Sequence, residues 1–353
     1  MFILRSKISM QCLINSVWLI YLLEISFDKY RDAKANPFVQ RALELSFLYL
    51  SQSVKWPLHR ILRAAFHLGC ELELKLLADN DFYSQLQVLE SQSLPVTRDS
   101  LALLPKCQKC PLDNTGNPIV SKTGLGSSAA LTTSVIGAVL TIFSENPRPV
   151  ISGDSIDAIH RLSQIAHGLA QGKVGSGFDV CAACYGSVRY IRISEGNLRK
   201  AMDTVENGFK DSSKYVQAAT PLHDKSSGLW DHKVNGFQLP RGVDILLADV
   251  CGGSETPSMV RKILQWRDSA RTQTGEDPPL WNKLSRLNVE IDFLVNILYQ
   301  CSNGHFSPDE YQNYVSSNKD FSKNAYIQAI HKLACYSRAE VSTSHLLLFF
   351  FYC

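Results

Sequence analysis

Apolar residues recur with a helical period over residues 36–50, NPFVQRALELSFLYL, where an Asn-Pro opening is followed by Phe38, Ala42, Leu45 and Leu48 on one face. That spacing predicts an amphipathic helix. In LGCELELKLLADNDF the period drops to two from Leu68 to Leu76, which predicts a half-buried strand. The polar stretch from Pro105 to Asn117 reads as a loop. Next, KTGLGSSAALTTSVIGAVL (122–140) runs from glycines into a long apolar segment that predicts a helix ending before Asn146-Pro147, because proline cannot continue it. A second helix over roughly Ser155 to Ala170 leads to QGKVGSGFDV, and CAACYGSVRYIRIS then turns into a strand carrying Val188, Tyr190 and Ile191.

From Glu195 to Leu239 the pattern weakens, and a domain linker is expected inside it, over 206–236. VDILLADV (243–250) reads as a short buried strand. CGGSETPSMVRKILQW repeats the design of a Gly/Ser/Thr turn entering a helix, with Pro257 in a first turn that tolerates its missing N–H. Near the amino terminus, CLINSVWLIYLLEI (12–25) is apolar but shorter than the roughly 20 residues of a bilayer span, and Glu24 closes it. It reads as buried strand or helix, with no secretory signal and no membrane span expected.

Composition narrows the partners. A chain of 353 residues has room for two domains. Its 36 Lys and Arg against 33 Asp and Glu give a net charge of +3, which lays down no nucleic-acid footprint and leaves a small molecule as the expected partner. With 45% hydrophobic and 20% charged residues, most of the chain is expected to fold. Among the ten cysteines, Cys107/Cys110 and Cys181/Cys184 have C-x-x-C spacing. Zinc ribbons hold their knuckles roughly 15–20 residues apart, whereas a long helix lies between these pairs. They read as reduced thiols packed as small hydrophobes.

The chemistry concentrates in the glycine segments. Small residues at a helix entrance leave first-turn N–H groups uncovered at the positive end of the helix dipole, where anions bind. G-L-G-S-S-A is not a P-loop, which needs a lysine closing G-x-x-x-x-G-K-[ST], and only approximates the dinucleotide fingerprint G-x-G-x-x-G. On its own a Gly-x-Gly before a helix is also a tight turn. Its companion is QGKVGSGFDV (171–180), where Asp179 follows the Gly175-Ser176-Gly177 turn and Lys173 stands six residues before it. Phosphoryl transfer needs phosphate donors, a cation and a carboxylate that orients or deprotonates the attacking oxygen. An aspartate after a glycine turn also serves as a helix N-cap.

KTGLGSSAA, AQGKVGSGFDV and GGS-x-TPSMV, in that order, with NPFV at 36–39 and NDFYS at 80–84, closely resemble the phosphomevalonate kinases of fungi and plants, members of the GHMP kinase superfamily with galactokinase, homoserine kinase and mevalonate kinase. The resemblance covers about residues 34 to 300. It implies an α+β, two-domain GHMP kinase fold: an amino-terminal domain (1–205) with a left-handed β-α-β crossover, and a ferredoxin-like carboxy-terminal domain (237–353). It also implies transfer of the ATP γ-phosphate to 5-phosphomevalonate, giving 5-diphosphomevalonate and ADP on the way to isoprenoids. Lys122, Gly124, Leu125, Gly126, Ser127, Ser128, Ala129 and Ala130 match the ATP loop, with the Ser127 hydroxyl toward Mg2+. Asp179 matches the catalytic aspartate, with Lys173 neutralising charge; Ser176, Gly177, Gly253, Ser254, Thr256 and Ser258 match positions that bind the acceptor. The implied location is cytoplasmic, with the peroxisome as alternative and no peroxisomal tripeptide in the final Phe-Tyr-Cys. Oligomeric state is not legible.

Three departures stand against the family pattern. His167 occupies the position where mevalonate kinases carry a glutamate ligand for magnesium, so no second protein ligand carries over. The first 33 or so residues lack the opening strand with its Pro-Gly-Lys and Gly-Gly elements, and no G-x-G-G-F-D segment precedes the final AEVSTSHLLLFFFYC. The fold is therefore expected to be incomplete at both ends and the chain a weak kinase or none, with LLLFFFY (346–352) an aggregation-prone or partner-binding tail. The competing reading is a non-catalytic binding or regulatory protein of the same fold.

Overall fold

The computed structural model describes residues 5–6, 36–53, 74–107, 111–116, 119–143, 153–223, 228–237, 256–302 and 328. The expected segments at 12–25, 68–73 and 243–250, the tail at 346–352, and Cys110, Gly253 and Ser254 lie outside the described residues. The chain divides into two compact units, one reaching Asn235 with Val250–Gly253 added, the other formed by the rest.

In the first unit, strand β1 (Arg5–Ser6) pairs antiparallel with β2 (Leu74–Lys75). Helix α1 (Pro37–Ser53) starts where the Asn36 side chain accepts from the Phe38 N–H at 3.0 Å, with Pro37 at the position that has no N–H to satisfy. Ala42, Leu45 and Leu48 are fully buried on the face their spacing marks. Two short helices, α2 (Leu86–Ser91) and α3 (Arg98–Leu103), precede α4 (Ser127–Ile142) and α5 (Gly153–Gln171).

Helix α5 is the hub. Every residue from Ala158 to Gly168 is buried, because α1, α4, α6 (Phe178–Tyr185), α7 (Glu195–Lys210) and α8 (Tyr215–His223) all pack on it. Burial on all sides takes polar groups inward: the Arg161 Nε–H donates to the Leu222 carbonyl at 3.2 Å, whereas Ser163 Oγ and His160 Nδ1 are buried without a hydrogen-bond partner among the described residues. Apolar residues of α1, α4, α5, α7 and α8 form one continuous core.

The sequence reading differs from the structure at two places. The strand expected at Val188, Tyr190 and Ile191 is β3 (Val188–Ile191), but CAAC before it is helical in α6, because Gly177 opens a helical turn that the polar-to-apolar pattern hides. The weakly patterned stretch after Glu195 holds α7 and α8, whose Leu198, Ala201, Met202, Val205, Ala218, Ala219 and Leu222 all enter the core. The α7 stripe is narrow and its other face fully polar, so average polarity conceals a good 3.6 period. Strand β4 (Lys233–Gly236) then pairs with β3.

The second unit contains α9 (Thr256–Thr274), with Pro257 in its first turn as expected, and α10 (Pro279–Ser302). Gly275, at φ 78°, makes the turn between them. Arg267 lies over the Trp281 ring at 5.0 Å, and Arg271 is 3.5 Å from the Asp277 carboxylate. No helix among the described residues is long and apolar enough to cross a membrane.

Candidate functional site

The glycine loop is anchored before it becomes a helix. Asn80–Phe82 form a 3-10 turn, Tyr83 bridges Lys122 in antiparallel fashion, and the Thr123 hydroxyl donates to the Asp81 carbonyl at 2.7 Å. The Ser84 N–H donates to the Ser121 carbonyl at 2.8 Å. NDFYS is thus the clamp that holds the approach to Gly124.

Beyond it the chain turns through left-handed conformations, Gly124 at φ 80° and Gly126 at φ 73°, a region that L side chains rarely adopt. Gly126 is the N-cap of α4 and supplies no side-chain oxygen to its first turn. The amide groups of Ser127, Ser128 and Ala129 therefore open an anion-accepting helix end. Lys122, Gly124 and Leu125 are exposed, Ser127 and Ser128 half-buried, Ala129 buried and Ala130 half-buried.

A second open helix end meets the first. Gly177, at φ 71°, caps α6 without a side-chain bond, and Asp179 lies in the first turn. A Cβ placed on Gly126 would stand 3.1 Å from the Asp179 Cβ. The two glycine motifs, far apart in sequence, therefore lie so close that a Cβ at Gly126 would crowd Asp179. Asp179 is not the N-cap that its spacing also allowed. Its Oδ1 accepts the N–H of Val180 at 2.9 Å, and its side chain is 23% exposed, which leaves carboxylate surface to face a ligand.

Helix α5 holds this junction from behind through a polar stripe, His160, Gln164, His167 and Gln171, at i, i+4, i+7 and i+11. Gln164 donates to the Gly177 carbonyl at 2.8 Å and lies 2.9 Å from the Nε2 of His160. A side chain on Gly177 would overlap that amide, so the cap must be glycine. His167 Nε2 is 3.1 Å from Ser128 Oγ, 3.1 Å from Gln171 Nε2 and 3.9 Å from Asp179 Oδ2, with the Phe38 ring tilted over it at 5.4 Å. NPFV enters the site through that ring. Lys173 is exposed just past the end of α5, its N–H held by the Gly168 carbonyl at 3.1 Å. Ser176 is half-buried in the turn, and Arg192 donates to the Gly175 carbonyl at 3.0 Å.

Burial governs the titrating groups. The His160 pKa falls to about 3, first by desolvation and then by neighbouring His232 and Arg161. That of His167 is lowered by desolvation, which outweighs the Asp179 carboxylate acting to raise it; Lys173 lowers it further. Burial pushes the Cys181 and Cys184 thiols up to about 12, so near neutral pH both stay protonated and pack as apolar groups. Among the described residues no group of three His, Cys, Asp or Glu is placed to hold a metal ion.

Of the acceptor positions, Thr256 and Ser258 fall in the first turn of α9, in the second unit. Sequence reasoning passed over Gln164 and Arg192, gave Gln171 no role, read Phe38 only as part of an apolar helix face and of NPFV, and saw His167 only as a departure. The stripe at helical spacing in HRLSQIAHGLAQ was the available signal: polar residues repeating on one face of an otherwise apolar helix have work to do there.

Residues 111–187 match the family of GHMP kinases N terminal domains. The chain is 34% identical over 302 residues to a protein of Arabidopsis thaliana named phosphomevalonate kinase, peroxisomal, covering 80% of this chain and 55% of that one. It is 34% identical over 281 residues to a phosphomevalonate kinase of Aspergillus fumigatus (79% and 51% covered) and 36% identical over 266 residues to one of Gibberella zeae (74% and 53%). The chain spans about half the length of the curated relatives it matches. No solved structure matches it.

Proposed function

From a chain similar to phosphomevalonate kinases over about four fifths of its length, with a GHMP kinase amino-terminal domain match across its glycine loop and its aspartate, we propose that it transfers the γ-phosphate of ATP to the phosphate of 5-phosphomevalonate. An oxygen of the acceptor phosphate attacks the γ-phosphorus, the bond to the β-phosphate oxygen breaks, and 5-diphosphomevalonate and ADP leave. The observation that carries this reading is the contact of the α4 cap with Asp179, which sets an anion-binding helix end against a carboxylate.

In this reading the main chain from Gly124 to Ala130 cradles the triphosphate, with Lys122 at its entrance and the α4 dipole favouring its charge. The acceptor is a phosphomonoester whose second pKa is about 6, so near neutral pH its oxygen is already largely ionised. Asp179 then orients more than it deprotonates, and Lys173 offsets repulsion between the two anions. Ser176 and Gly177, with Gly253, Ser254, Thr256 and Ser258, bind the acceptor. Among the described residues magnesium is offered a serine hydroxyl and no group of three carboxylate or other ligands, which fits an ion that keeps water and substrate oxygens; Ser127 would hold it. Bound there, magnesium would neutralise phosphate charge.

The resemblance also carries a proposed left-handed β-α-β crossover in the amino-terminal domain and a ferredoxin-like domain in 237–353, whereas a linker over 206–236 does not fit α8, whose Ala218, Ala219 and Leu222 enter the core. A cytoplasmic location is proposed, with the peroxisome, named for the plant relative, as alternative. The retained glycine motifs and the assembled junction favour catalysis over a binding protein of the same fold.

Substitution of Asp179 tests the reading. Asp179→Asn is expected to keep ATP affinity in calorimetry while ADP release with 5-phosphomevalonate falls about 10²–10⁴-fold. Turnover at the parental rate would remove Asp179 from the chemistry, and ATP binding without turnover in the parent would leave the binding-protein reading.

A further inference from the structure

The His167 side chain reaches both helix ends. Its Nε2 sits 3.1 Å from the hydroxyl of Ser128, in the first turn of α4, and 3.9 Å from Oδ2 of Asp179, in the first turn of α6. It is buried, at 6% exposure, so its orientation is set by neighbours and not by water. Phe38 covers the ring, and Gln171, one turn further along α5, fixes the same nitrogen from the other side at 3.1 Å. An imidazole locked in this way fixes a serine of the phosphate loop next to the carboxylate of the other helix end.

We propose that His167 is a positioning residue for phosphoryl transfer: its Nε2 accepts from the Ser128 hydroxyl in the first turn of α4 and so fixes that serine beside the neighbouring Asp179 carboxylate. This rests on the kinase reading of the site. A carboxylate at the same place could not do the same work: between Asp179 and a bound triphosphate it would add a like charge, whereas the imidazole adds a hydrogen-bonding group without one. With the Gln171 amide donating to Nε2, that nitrogen presents its lone pair. The Ser128 hydroxyl then donates to it, which turns the serine's own lone pairs outward, toward the loop. The Asp179 carboxylate is left without a proton from the histidine, free to orient the acceptor.

Three forms of the full-length chain separate this role from mere packing. His167→Leu keeps bulk and removes the nitrogen; His167→Gln restores a polar atom near the Nε2 position. Loss of alignment at a reacting centre is worth up to about 10²-fold in rate. His167→Leu is expected to lower kcat on that scale while the Kd for ATP moves less than about twofold, and His167→Gln is expected to recover most of the rate. Parental kcat in His167→Leu would overturn the proposal, as would a His167→Gln enzyme no better than His167→Leu.

A parent with no turnover would sink the kinase reading instead. The Ser128–His167 contact is then decided by thermal unfolding of Ser128→Ala, His167→Leu and the double variant. Tm losses smaller together than their sum support it, and additive losses refute it.

Discussion

Gly126 and Gly177 are the residues whose replacement speaks most directly to the site, because both hold left-handed backbone and both face a specific neighbour. Gly126→Val would strain a φ of 73° and push a side chain against Asp179. We expect ATP affinity to fall by about tenfold or more, equivalent to about 1.4 kcal/mol, with stability lowered by about 1–3 kcal/mol. Calorimetry beside urea denaturation checks both, and unchanged affinity in the folded variant would return the loop to a simple turn. Gly177→Ala would collide with Gln164. It should destabilise the fold by about 1–3 kcal/mol, and Gln164→Ala in the same chain should relieve part of that loss; strictly additive urea midpoints would contradict the packing described. The glycines, Lys173 and Asp179 were legible because backbone conformation and charge are written locally. Gln164 and His167 were not, since their partners lie 13 and 39 residues away in sequence and only the packing of α5 brings them together.

At the scale of elements, α5 carries the argument, and it does so at a price in acid. His160 and His167 on α5, with His223 and His232 near it, all have pKa values lowered chiefly by burial. A depressed histidine means that the unfolded chain binds more protons, so stability is complete above about pH 6.5 and is lost as the pH falls below it. For His160, fully buried with a pKa of about 3, that slope approaches about 1.4 kcal/mol per pH unit between the two values. Urea midpoints should therefore drop from pH 7 to pH 5, and His160→Leu should flatten the dependence; equal midpoints at both values would mean that the histidines are not held neutral. Helices α1, α4 and α5 were readable because their apolar periods are broad. Helices α6 and α7 escaped, one for its brevity behind a glycine cap, the other because its apolar stripe is narrow in a polar stretch.

At the scale of the whole molecule, the first unit brings together the two glycine motifs of the proposed phosphate site, and the remaining proposed acceptor positions belong to the second unit or lie outside the described residues. The chain covers about half of each curated relative, so its activity as it stands is a matter for chemistry on the full chain. The most direct measurement is phosphorus NMR of the protein with ATP, Mg2+ and 5-phosphomevalonate. The account requires that the phosphomonoester signal decay as two coupled diphosphate signals of the product and those of ADP appear together, and that Asp179→Asn suppress all of these changes. An unchanged phosphomonoester signal in the presence of folded, ATP-binding protein would contradict it, and so would ADP accompanied only by inorganic phosphate.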